Sequence, residues 1–567
     1  TENLKNYSQT SLPKGVELKH RDYLQNVQKE LQTIKGVTIL IYDQGCAAEK
    51  RRKRKRGIIE DPLQKILINP EVCEGCGDCS TQSNCMSIEP LETEFGRKRK
   101  INQSTCNKDF TCIKGFCPSF FSIETNDMKS IQTPSVGDEL PDPIKKIDEE
   151  ITNIILTGIG GTGVLTISAI LGMAANIENK KSTTLDMTGL SQKGGAVWAY
   201  IKLYSDKKKP YSHKITPGMS DVLLACDQVV ATKDEIQEVL SNKRTYAVLN
   251  TNSAPVADFV SNTEIDFKSN EVRELIKNST KNISVELDTI DLSYRFFGNT
   301  INANMIQLGA AFQAGLIPLE RESILQAINL NKSGAENNIK AFNLGRLAVH
   351  DPKNPIFKQT ENSIKSVSMN DLKEILASYS KKSLKAFNQI ESTLNANKDL
   401  SKNVIEEVLI EYGRICLIKD EYRVASMHLK NYKKIINNEF SSWSKLSFYL
   451  APPILSFIKD KKTGNPRKFK VPGYIALPLF YALDKISFLR DTPLDIFKYS
   501  KERKHDYEHK RIFEQILNTA LKNAKEAELK KLIDYSKKVK GYGSIKENNL
   551  AIFKKNILNK EINFVKI

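Results

Sequence analysis

No run of about 18 or more uncharged apolar residues occurs in this chain, so no membrane-crossing helix is expected. The start lacks the basic, apolar and small-residue order of a secretory leader, and no internal repeat is visible. Ten cysteines in 567 residues without such a leader exclude a dense disulfide framework. A reducing, cytoplasmic setting is expected instead. Acidic excess is missing too: 85 Lys and Arg face 67 Asp and Glu, a net charge of +18. That balance admits nucleic acid, an anionic surface, an acidic protein or anionic ligands as partners. Most of the lysines are scattered among Asn and Ile, however, which reads as solvated surface. The first residue is Thr1 rather than Met, which points to a processed or truncated chain. The length fits roughly three or four domains of ~150 residues.

What the chain does have is a concentration of sulfur. Seven of the ten cysteines lie between Cys73 and Cys117, leaving Cys46, Cys226 and Cys416 scattered. Cys73, Cys76 and Cys79 in "CEGCGDC" form C-x2-C-x2-C, three thiolates in one tight loop. Structural zinc usually takes two separated pairs of ligands. The run of three instead suits one face of an iron–sulfur cubane, with a distant cysteine, commonly in Cys-Pro, holding the fourth iron. Cys117-Pro118 supplies one. Gly75 and Gly77 let the backbone turn and aim N–H groups at sulfur. The expected site is one 4Fe–4S cluster at Cys73, Cys76, Cys79 and Cys117. Cys85, Cys106 and Cys112 are three candidates for a second cluster, one thiolate short of the usual four. Whether that second cluster exists is left open by the spacing.

Around the cysteines the pattern changes repeatedly. "GVTILIYDQG", Gly36 to Gly45, reads as a short buried strand closed by turn residues. Six basic residues follow, Arg51 to Arg56, with no aromatic neighbours for nucleic-acid stacking. They read as a solvated helical face, a nucleic-acid grip or a dock for an acidic electron carrier. Residues 126–147 are a Pro- and Gly-bearing linker. Next comes strand, glycine loop and helix, with Gly158, Gly160 and Gly163 in G-x-G-x-x-G and Asp186 ending the following strand. A nicotinamide fold needs a crossover helix after that strand, yet "GLSQKGG" runs straight into another strand. Residues 148–350 therefore read as an α/β domain of another kind. The rest, 351–567, repeats apolar residues at helical spacing. "YLAPPILSFIKDKKTGNPRKFKVPGYIALPLF", broken by Pro and Gly, is expected to make a long loop.

Four features occur in order: the "GVTILIYDQGCAAEKRRKRKRG" segment, the cysteine block, "GIGGTGVLTISAILGMAA" with "GLSQKGGAVWAYIKL", and "YLAPPIL", "GNPRKFK" and "VKGYGSIKENNLA". Together they resemble the C-terminal half of the fused indolepyruvate:ferredoxin oxidoreductases, in the 2-oxoacid:ferredoxin oxidoreductase superfamily. The resemblance implies an α/β multidomain chain. Residues 1–57 would be the tail of a thiamine-diphosphate-binding α/β domain, and 58–125 the iron–sulfur module. Residues 148–350 would be the gamma-type oxidoreductase domain, and 351–567 a mainly helical family-specific domain. It implies oxidative decarboxylation of an aryl-2-oxoacid to an acyl-coenzyme A, with electrons passing singly through iron–sulfur to ferredoxin. Gly158, Gly160, Gly161 and Gly163 would let coenzyme A or thiamine diphosphate approach a helix start. Ser191, Gln192, Lys193, Gly194 and Gly195 would form a polar turn at the cofactor or substrate edge. The family's Gly-Asp-Gly segment for Mg2+ and diphosphate is not found in this sequence. The implied partners are thus a missing N-terminal part or separate subunit, ferredoxin and a second copy of the chain, with neither nucleic acid nor membrane. The competing readings are a zinc-containing nucleic-acid-binding protein, and a nicotinamide-dependent iron–sulfur reductase.

Overall fold

The computed structural model describes residues 1, 4–8, 12–129, 140–147, 149–160, 163–189, 195–205, 209–252, 262, 265, 269–332, 334–357, 368–397, 399–452, 455, 457–459, 466–523 and 526–558. The chain divides into two compact units. One comprises residues 1–62 with 107–109, and the other residues 63–106 with 110–567.

The first unit contains helices α1 (Leu24–Thr33) and α2 (Ala47–Lys55) and, among the described residues, no strand. The strand expected over Gly36–Gly45 does not form. Val37, Ile39 and Ile41 alternate as a strand would, but they are 95%, 79% and 83% exposed. Alternation selects a strand only where a neighbouring strand takes up the backbone groups, and no described residue pairs here. The basic run does become a helical face: most of it lies in α2, where Glu49 pairs with Arg52 at 3.1 Å and Arg54 bonds the Asn107 carbonyl.

The second unit is organised by two main sheets. The smaller has strand order β1 (Gln64–Ile68), β4 (Phe120–Glu124), β11 (Ser444–Leu450), β12 (Phe469–Pro472), all antiparallel. A separate two-stranded ribbon, β2 (Ile88–Leu91) with β3 (Lys98–Ile101), lies between β1 and β4 in sequence. Two strands of the four-stranded sheet come from the cysteine segment and two from far along the chain. Alternation splits its side chains cleanly. Ile66, Ile68 and Phe120 pack with cysteines on one face, while Leu67, Phe121 and Ile123 pack on helices 421–439 and 473–485 on the other. The segment expected to be one long loop thus supplies β12 and the helix Gly473–Lys485, which carries Pro478 inside it. The sheet's apolar face gives that helix a surface to bury Ala476 and Phe480 against, which outweighs the proline.

The larger sheet has the order β10 (Asn282–Leu287), β9 (Tyr246–Asn250), β8 (Val222–Ala225), β5 (Ile151–Ile159), β7 (Ala196–Tyr204), β6 (Lys181–Thr188). Strands β10, β9, β8 and β5 run parallel, while β7 lies antiparallel between β5 and β6. Helix α4 (Val164–Ile177) joins β5 to β6. Among the described residues no crossover helix lies between β6 and β7, as the sequence indicated. Helices 303–313, 321–330 and 335–350 complete this domain's core. Beyond residue 369 a second, helical core forms around Phe387, Tyr412 and Phe513, whose rings stack at 6.1–6.3 Å. No described helix is long and apolar enough to cross a membrane.

Candidate functional site

The cysteine nest is built by two loops that leave the ends of β1 and enter β4. After Ile68 the Asn69 carbonyl accepts from the Cys73 N–H at 2.9 Å, which starts the turn. Gly75 (φ +73°) and Gly77 (φ +80°) then take left-handed conformations, and Gly77 caps the short helix α3 (Asp78–Ser83) carrying Cys79. The Gly75 N–H points at Cys73 Sγ, 3.3 Å away. A Cβ at Gly75 would lie 2.2 Å from the Arg97 carbonyl oxygen, so only glycine fits. The Asp78 carboxylate accepts from the Phe116 N–H at 2.6 Å and ties the second loop to the first. Cys117 follows, with its Sγ 2.8 Å from the Ser119 hydroxyl.

Cys73, Cys76, Cys79 and Cys117 line one small cavity, together with Arg99 and Ser119. The structure therefore brings together the four cysteines expected to act together. Cys85, Cys106 and Cys112 do not line it, although they pack in the same apolar cluster. No disulfide joins any of the ten cysteines. Among the described residues no three His, Cys, Asp or Glu side chains are gathered as around one metal ion. Burial pushes the Cys76, Cys79 and Cys117 thiols up, and the other cysteines add to the rise by repulsion. These three thiols carry thiolate charge only if positive charge sits among them, as coordinated iron would supply. The donor set, the turn glycines and the N–H aimed at sulfur fit an iron–sulfur cluster.

Sequence reasoning missed the groups that close over this nest. Lys419 donates to the Cys73 carbonyl at 3.0 Å and pairs with Glu74 at 2.7 Å. Burial opposes ionisation of Glu74, but Lys419, Lys98, Lys546 and Arg414 together hold its carboxyl well below the usual range. Lys468 donates to the carbonyls of Ile113 (2.9 Å) and Gly115 (2.7 Å), and its ammonium lies 4.9 Å from the Phe120 ring centre. The Tyr542 hydroxyl donates to the Val72 carbonyl at 2.6 Å. His428 Nε2 donates to the Pro118 carbonyl at 2.9 Å while its ring stacks on Phe480. Lys468 and Tyr542 belong to "GNPRKFK" and "VKGYGSIKENNLA". Those polar, glycine-bearing stretches were the available signal, with no chemistry attached to them.

The glycine loop is a different kind of place. Gly158 lies opposite Val197 in the β5–β7 ladder, and the Gly160 N–H donates to the Gly195 carbonyl at 2.7 Å. That amide is therefore spent on extending the sheet. Gly163 (φ +98°) caps α4, and Ser168 on α4 donates to Asp186 at 3.1 Å. Gly161, Ser191, Gln192, Lys193 and Gly194 lie outside the described residues.

Residues 153–348 match the family described as pyruvate ferredoxin/flavodoxin oxidoreductase. The indolepyruvate oxidoreductase subunit IorB of Pyrococcus horikoshii is 28% identical over 206 residues, 36% of this chain and 98% of that protein. This segment belongs to the 2-oxoacid:ferredoxin oxidoreductase superfamily. The superfamily segment has a second similar protein in IorB of Thermococcus kodakarensis, 27% identical over 197 residues, covering 34% of this chain and 93% of that one. Both relatives are subunits by name. Among solved structures, pyruvate oxidoreductase subunit PORC of Thermotoga maritima covers 35% of this chain and 96% of its own, at 18% identity and a TM-score of 0.24. Residues 376–558 match a family of unknown function, DUF6537.

Proposed function

We propose that this chain is the electron-carrying part of an indolepyruvate, or other aryl-2-oxoacid, ferredoxin oxidoreductase. The observation that carries the reading is the coexistence of two features: four cysteines around one cavity, and a superfamily domain related to indolepyruvate oxidoreductase subunits. A cluster bound at Cys73, Cys76, Cys79 and Cys117 would supply one-electron transfer. The chain's own residues do the rest. Gly75 and Gly77 set the sulfurs' spacing, the Gly75 N–H stabilises negative charge on Cys73, and Asp78 locks the two loops together. The residues that bind the diphosphate and Mg2+ of thiamine diphosphate in the family are not found in this sequence. In this reading a further polypeptide segment or subunit holds it, and coenzyme A accepts the acyl group. The glycine loop, with Gly158 and Gly163 flanking the tied-up Gly160, is proposed as a contact for coenzyme A.

Protein purified anaerobically and reconstituted should be brown and contain iron and acid-labile sulfide. Cys76→Ser should lose most of both. Joined with the thiamine-diphosphate-binding part, the wild-type chain should support reduction of ferredoxin that depends on indolepyruvate and coenzyme A, and the variant should not. Stoichiometric zinc without iron would instead favour the zinc reading.

A further inference from the structure

The helical segment that covers the cysteine nest is joined to it through charge as well as packing. Two lysines from this segment reach the nest, and their surroundings differ. Lys419 is paired with Glu74, so its positive charge is neutralised beside Cys73. Lys468 bonds only neutral carbonyls, those of Ile113 and Gly115 in the loop that delivers Cys117. Among the described residues no carboxylate lies within ion-pair distance of Lys468. Burial works against its charge, while Cys117, Cys112, Asp78 and Cys79 lie close enough to favour it. The ammonium rests on the face of Phe120, a fully buried ring in the strand that follows Cys117.

We infer that the C-terminal helical segment is a tuning cover for the electron carrier, and that Lys468 sets the carrier's potential by an unneutralised positive charge beside Cys117. The inference rests on the iron–sulfur reading proposed above. Each electron added to a thiolate-ligated cluster makes it more negative, so a nearby fixed cation stabilises the reduced form more than the oxidised one. Low local polarity strengthens that effect, because little water intervenes to screen it. Hydrogen bonds to the Ile113 and Gly115 carbonyls hold the ammonium in place without cancelling its charge. Lys468 is thus a positioning residue for charge. It ligates no metal and touches no substrate.

The full chain, reconstituted anaerobically, provides the test. Iron and sulfide are counted first, and the cluster is then titrated by visible and electron-spin spectroscopy in wild type, Lys468→Gln and Lys468→Arg. Lys468→Gln should keep its iron and sulfide. At a fixed ambient potential its ratio of reduced to oxidised cluster should fall by roughly tenfold, equivalent to about 59 mV more negative for one electron. Lys468→Arg keeps the charge and should stay within about threefold of wild type. The wild-type potential should also change little up to ~1 M salt, where exposed charges are screened within about 3 Å. An unchanged potential in Lys468→Gln overturns the inference. So does loss of iron from that variant while the chain stays folded, because the lysine would then be holding the loop. If Lys468→Gln fails to fold, the other two measurements decide. A tenfold or larger change in Lys468→Arg, or a strong salt dependence in wild type, sinks the idea. A wild-type chain that takes up no iron brings down the iron–sulfur reading first, and this inference with it.

Discussion

The cysteine nest and the glycine loop both place glycines beside a turn, yet the two turns are under different constraints. At the nest, the backbone is pressed against its neighbours, and the space that remains is fixed by Arg97, Asp78 and the distant cover. At the glycine loop, the backbone continues a sheet ladder, and a Cβ on Gly160 would touch Gly195 and Val197 only at an ordinary 3.5 Å. A glycine motif that looks like a binding device can therefore be mostly ladder, while one that looks like a spacer can be indispensable. The contrast is sharpest in a pair of substitutions. Gly75→Ala should cost at least about 4 kcal/mol, because strain at positive φ adds to a clash with fixed backbone. Gly160→Ala should stay within about 1 kcal/mol. Denaturant melts of the two variants measure both, and equal losses would remove the distinction.

The next largest effect concerns the cover. Asp420 caps helix 421–439 by accepting from the Arg423 N–H, and it pairs with Arg490 at 2.6 Å and Arg503 at 3.1 Å. All three ionic side chains are nearly sealed from solvent. Asp420→Asn leaves two arginines without their shared counter-charge and should cost about 3–5 kcal/mol. If the cover and the nest are one cooperative structure, iron content should fall with it. Retained iron in a destabilised variant would show that the nest stands alone.

A smaller effect should appear on acidification. Burial lowers the His428 pKa to about 4, against the opposing hydrogen bond to Pro118. The unfolded chain then takes up a proton before the folded one does as pH falls. The histidine's contribution is intact above about pH 6.5 and is lost progressively toward pH 4, amounting to roughly 3 kcal/mol. Stability measured at pH 7, 5.5 and 4 should fall more steeply for wild type than for His428→Gln. Parallel curves would place the acid sensitivity elsewhere.

Much of the nest was legible in the sequence because its chemistry is local. Cys73, Cys76 and Cys79 sit close enough that spacing alone implies a shared site, and Cys117-Pro118 carries its own signature. Much of the larger sheet was legible for a related reason: β5, β7, β8 and β9 are apolar runs and the missing crossover after Asp186 could be read directly, whereas β10 was not read as a strand. The smaller sheet was not legible. Pairing between β4 and β11 has no local periodicity to reveal it, and the segment holding β12 is repeatedly broken by proline and glycine. The run from Gly36 to Gly45 failed in the opposite sense. Its pattern is that of a strand, but pairing depends on neighbours, and no described residue provides one. Lys468 and His428 were invisible because a charge or ring acquires its role only from what distant chain it meets.

The partnership of β4 with β11 also has a consequence in time. Ser444 reaches the Glu124 carbonyl across 320 positions of chain. At translation rates of 5–20 residues per second, β4 waits roughly 16–64 s after its own synthesis before that partner exists. Throughout that interval Phe121 and Ile123 have no cover, and one edge of β4 is open to any other strand. The ribosome therefore imposes an order on assembly: the four cysteines of the nest emerge early, while the face behind them is sealed late. Protection from aggregation must be reconciled with that delay and, on the iron–sulfur reading proposed above, so must metal delivery. The hazard should be greatest when many ribosomes translate one message, since neighbouring nascent chains then carry the same unpaired edge.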